Sequence, residues 1–158
     1  MNRCVNISKC YSIEKMKYNL LSTSPVPTII PRLIVGLVFL SEGLQKFLFP
    51  ELVGTGRFMK IGFANPEFWA NFTGAFEIAC GALLLIGLFT RFVSIPLLII
   101  MVVAFIKTKI PIFLDRGFWA MAHEYRTDFA MTLLLIFLLY FGGGRFSMDK
   151  KYFSRERK

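Results

Sequence analysis

Residues 69–88 read WANFTGAFEIACGALLLIGL, an apolar run with one carboxylate, Glu77, near its middle. At about 1.5 Å of rise per residue, about 20 residues cross the hydrocarbon of a bilayer. This run therefore predicts a membrane-crossing helix, with the aromatics Phe68 and Trp69 at the interface where it begins.

Working outward, three further runs fit the same solvent. Residues 29–49 form one, with Pro31 in the first turn, where a missing N–H costs little, and Pro50 ending it. Only Phe89, Thr90 and Arg91 separate residues 69–88 from the next run, 92–110, so these two helices must be antiparallel neighbours. Pro96 falls early in that third helix and Pro111 is expected to close it, with Lys107 and Lys109 reaching to the interface. The last run, 129–141, is 13 residues long, too short to cross alone, so its helix must begin earlier and take in Arg126 and Asp128.

Composition agrees. The 158 residues are 55% hydrophobic and include 18 phenylalanines, and the mean hydropathy is +0.57. A soluble core of this size has too little interior for so much apolar surface. The expected fold class is all-α: a membrane-embedded four-helix transmembrane bundle. Residues 1–28 form a polar N-terminal tail, 29–149 the membrane domain and 150–158 a basic tail. The first run, residues 29–49, is too long for the apolar core of a cleavable signal, contains charges, and has no small-residue cleavage site behind it. Met16 and Lys17 offer a second start, which would make residues 1–15 dispensable.

The net charge of +9 reads as topology, since no nucleic-acid module interleaves the basic residues. With both termini on one side, twelve Lys and Arg lie there, Arg32, Arg91 and Arg145 among them, and six lie opposite. That excess predicts both termini in the cytoplasm and the loops around Arg57 and Arg116 outside. The three cysteines form no CxxC; Cys4 and Cys10 fall in the cytoplasmic tail and Cys80 is a small packing residue in an apolar helix.

The chemistry-bearing residues are the ionisable ones inside the runs, each costing roughly 2.5–3.5 kcal/mol at a helix centre. Glu42 and Lys46 are four apart on one face, acid first, and can partly neutralise each other. Glu77 has no partner in its own helix, so it is expected to face the same interior site, near Lys46 or the Arg and Asp groups of the fourth helix. Gly36, Gly43, Gly74 and Gly81, with Ala75, Ala79 and Ala82, would let the first two helices approach closely. A second cluster, His123, Glu124, Arg126 and Asp128, is expected at the outer mouth of the fourth helix. It has too few nitrogen or sulfur ligands for a metal site, and none is expected. Gly142, Gly143 and Gly144 stop that helix, and Arg145 then sits at headgroup level.

Several of these stretches together resemble the DoxX family. They are Arg32-Leu-Ile-Val-Gly36 leading into Ser41-Glu42-Gly43-Leu44-Gln45-Lys46, Phe76-Glu77 with Gly81 and Leu83-Leu84-Leu85-Ile86-Gly87-Leu88, Thr90-Arg91, and Gly144-Arg145-Phe146-Ser147-Met148-Asp149. The resemblance covers residues 31–149 in order and spacing. It implies four transmembrane helices in the bacterial plasma membrane, with Glu42, Lys46, Glu77 and Arg145 as the family's recurring polar positions. It also implies an association with membrane redox systems, quinone- or thiol-linked.

The sequence offers no intramembrane histidine pair for haem. The expected role is therefore an accessory subunit, part of an oxidoreductase complex if of any enzyme, with no catalytic residue assigned. Glu42, Lys46 and Glu77 would line a buried polar site. No covalently bound cofactor is expected, and a quinone is the one ligand left open. The expected partners are the lipid bilayer with a redox protein or further copies of the chain, and no nucleic acid. A proton or small-solute transporter and a scaffold or assembly factor without its own activity are the alternatives.

Overall fold

The computed structural model describes residues 28–144 and 147–148. The expectations for the N-terminal tail with Cys4 and Cys10, for Arg145 and for the basic C-terminal tail lie outside the described residues. Helix α1 is Ile29–Leu48, α2 Thr55–Lys60, α3 Pro66–Ile86, α4 Thr90–Ala104 and α5 Ile110–Phe141, with a π-helical turn Phe105–Lys109 joining α4 to α5. The fold is all-α, with no strand among the described residues.

Helix α1 buries Arg32, Val35, Gly36, Phe39, Gly43 and Lys46, positions three or four apart that form one stripe. Pro66 opens α3 at a position where its missing N–H is no loss, and Glu67 in the first turn suits the positive end of the helix. Gly87 ends α3 with a φ of 74°, a left-handed cap that only glycine adopts without strain. The short α2, in the connection between α1 and α3, was not legible as a helix.

Pro111 does not close the third helix. The π turn bonds the Ile110 N–H to the Phe105 carbonyl, five residues back, and this widening draws the ladder away from the pyrrolidine ring. The helix runs on past the proline and breaks instead at Gly117, where φ is 81° and ψ 179°, a conformation reserved to glycine. Beyond the break the chain returns antiparallel. The Arg91 guanidinium donates to the Tyr140 carbonyl at 2.9 Å, and the rings of Phe105 and Tyr125 lie 4.8 Å apart. Near the break, Lys109 and Asp128 pair at 3.2 Å.

The core draws on every long helix: Val35 and Phe39 from α1, Cys80 and Leu84 from α3, Val93 and Leu97 from α4, and Met131, Leu135 and Leu138 from α5. Outside it, large apolar side chains face outward along each helix, among them Leu37, Phe72, Ile99 and Leu133. Two segments, Pro66–Ile86 and Thr90–Phe141, are long and apolar enough to cross a membrane. The second of them is bent back on itself at Gly117. Helix α1 has the length, 20 residues, but carries Arg32, Glu42 and Lys46.

The closest helix contact is between α1 and α3, at their glycines. A Cβ added at Gly43 would lie 2.8 Å from the Gly74 carbonyl oxygen, and one at Gly81 2.9 Å from that of Gly36. Both distances are inside contact with backbone that cannot yield, so the four glycines set how near the axes come. Gly81→Val should therefore cost about 1–3 kcal/mol by overpacking. Thermal unfolding in detergent reads it, with Ala75→Val, at an exposed position of the same helix, as a control that should leave the midpoint in place.

A buried ion pair between the first two long helices

Lys46 lies in the last turn of α1, and its side chain runs back toward the start of the helix, as side chains on helices do. Its ammonium donates to Glu77 Oε2 of α3 at 2.5 Å, with 9% and 5% of the two side chains exposed. A second, longer bond of 3.5 Å goes to the main-chain carbonyl of Glu42. The glycine contact makes this geometry available, since Gly43 and Gly74 bring the two backbones together one turn from the pair.

The structure thus brings Lys46 and Glu77 together but joins Glu42 to them by its backbone. The Glu42 carboxylate is half-buried and belongs to no ion pair among the described residues. Its charge and that of Arg57 on α2 still reach Glu77. The site is thus one closed acid–base pair with a second acid beside it, able to hold or exchange a proton and to offer both a donor and an acceptor to a polar group.

The outer cluster divides. Lys109 was expected to reach to the interface, but it is buried. It donates to the Glu124 carbonyl at 2.8 Å and pairs with Asp128, which ties the two arms of the α4–α5 hairpin. The reason is proximity: with the helix continuing past Pro111, Lys109 faces the returning arm rather than water. Lys107 lies with its ammonium 5.4 Å above the Phe63 ring, a cation–π contact. His123 and Arg126 stand on the exposed surface. Among the described residues no three His, Cys, Asp or Glu side chains gather as metal ligands would.

Arg32 is the site residue that sequence reasoning missed. It was counted with the basic residues that orient the chain, yet it is 3% exposed. Its guanidinium donates to the carbonyls of Leu84 at 3.0 Å, Leu85 at 3.0 Å and Gly143 at 2.7 Å. The first two acceptors belong to the last turn of α3, whose carbonyls have no partners within the helix, and a cation there also opposes the negative end of the helix dipole. Gly87 leaves room for it: a Cβ there would lie 2.6 Å from Arg32 Cζ. The available signal was the combination of an arginine in the first turn of an apolar helix with a Gly-capped helix end on the same side.

Helices of hydrocarbon length with outward-facing apolar side chains and inward-facing charges define an integral membrane protein. The DoxX family model matches residues 28–109, slightly more than half of the chain, and the chain belongs to the DoxX family. It is 50% identical over 137 residues to an uncharacterized membrane protein of Mycobacterium tuberculosis, a match covering 83% of this chain and 84% of that one. No solved structure matches.

Proposed function

We propose that the chain is an accessory subunit of a membrane redox system, quinone- or thiol-linked, in the bacterial plasma membrane, crossing it four times with both termini in the cytoplasm. The observation that carries this reading is the Lys46–Glu77 pair, a donor and an acceptor held at 2.5 Å within helices of membrane length. Burying two charges is costly unless they are paired, and a paired donor and acceptor suits a partner or ligand that exchanges protons with electrons. The sequence has one histidine and no CxxC, so it offers neither a histidine pair for haem nor a dithiol motif, and in this reading the redox chemistry sits on the partner or the ligand.

Purification in mild detergent from native membranes tests this. An oxidoreductase chain or an extractable quinone should accompany the protein and be lost on Glu77→Gln; isolation of the bare chain under every mild condition overturns the reading. A second reading, a scaffold in which the charges only fix helix register, is favoured by how closely the pair is shut between glycine-packed backbones. Replacing Lys46 and Glu77 by methionine, singly and together, separates the two.

A further inference from the structure

Around α1, at the depth of Glu42, a polar band passes from the buried face to the exposed one. Lys46 is buried, Glu42 and Gln45 are half-buried, and Ser41 is exposed. The Gln45 amide donates to Ser41 Oγ at 2.9 Å, its one side-chain hydrogen bond among the described residues. Ser41 stands in the middle of an exposed stripe of Ile30, Ile34, Leu37, Leu44 and Leu48. The spacing alternates four and three residues, the repeat by which one helix presents a seam to another. Midway along α3 and α4 the exposed residues are apolar, such as Phe76 and Ile99, and acyl chains suit them. A serine and a carboxamide at membrane depth are not suited by acyl chains, which leave the second amide N–H and its carbonyl without partners.

We propose that a second copy of this chain docks on the outer face of α1, with Ser41 at the centre of the seam and the Gln45 amides pairing across a two-fold axis. A carboxamide is both donor and acceptor, so it complements itself, and a two-fold axis sets a residue against its own copy. Apolar side chains above and below Ser41 pack as knobs, while the serine allows close approach where the polar groups meet. The seam also shields the half-buried Glu42 from lipid.

The test is oxidative crosslinking of pure protein in phosphatidylethanolamine–phosphatidylglycerol vesicles, with Cys4 and Cys10 replaced by serine. Ser41→Cys should form a covalent dimer at least about tenfold faster than Ile99→Cys on the exposed face of α4. Adding Gln45→Leu should slow it about fivefold or more, in keeping with the worth of interhelical polar contacts in membranes. Fluorescence energy transfer between labelled copies, diluted with lipid, should weaken in the same proportion. Equal rates at positions 41 and 99, or no response to Gln45→Leu, overturns the proposal. So does a crosslink at position 41 in native membranes that captures only a different chain.

Discussion

Lys46→Met should lower the unfolding free energy of the detergent-solubilised protein by about 3–5 kcal/mol, because it leaves the Glu77 carboxylate buried without its counter-charge. The partner change Glu77→Met should cost a similar amount. The two together should cost far less than their sum, since a pair of apolar side chains of comparable volume needs neither charge nor geometry. Glu42→Gln, by contrast, should leave stability within about 1 kcal/mol, as its side chain is outside the pair. Unfolding followed by circular dichroism at fixed detergent gives all four numbers. Co-purification then divides the readings: if the stable double variant retains any oxidoreductase chain or quinone that accompanies the wild-type chain, the charges serve the architecture alone. If it is stable and loses them, the pair serves the function. Additive losses would show that Lys46 and Glu77 do not act as a unit, contrary to their 2.5 Å contact.

Arg32→Leu should destabilise by about 3 kcal/mol or more, because three carbonyl acceptors lose charge-assisted bonds at once. Arg32→Lys should recover only part of this. An ammonium lacks the planar fork that meets Leu84, Leu85 and Gly143 together. The loss should be local first, with faster proteolysis of the turn at residues 87–89 before any change in helix content. A variant that unfolds like the wild-type chain, with that turn equally protected, would mean that water supplies the carbonyls as well as the guanidinium does.

The long helices and the glycine contact were legible because both follow from spacing within a few turns. Gly36 and Gly43 stand seven apart, as do Gly74 and Gly81, and two such sets on consecutive antiparallel helices fall into register. The partner of Lys46 was harder. Glu42 and Glu77 are both within its reach, and the four-residue spacing favoured Glu42; the outcome turned on the depth of contact between α1 and α3, which puts Glu77 directly in the path of the side chain. Arg32 was harder still, since two of its acceptors are main-chain carbonyls 52 and 111 residues away and carry no residue-type signal. Pro111 misled for a local reason: a π turn just before a proline removes the conflict that ordinarily ends a helix, and nothing in FIKTK announces that turn.

The reach of Arg32 bears on how the chain is made. Gly143 is synthesised 111 residues after Arg32, so a nascent chain still short of that glycine already contains α1 and α3, and its guanidinium can meet the Leu84 and Leu85 carbonyls before that of Gly143 exists. The Gly143 carbonyl follows α5 in the chain, so it arrives after all five helices have been made. The tie between α1 and the end of α5 therefore forms only after the hairpin arm is complete, and a ribosome stalled before residue 143 would hand the membrane a product without it.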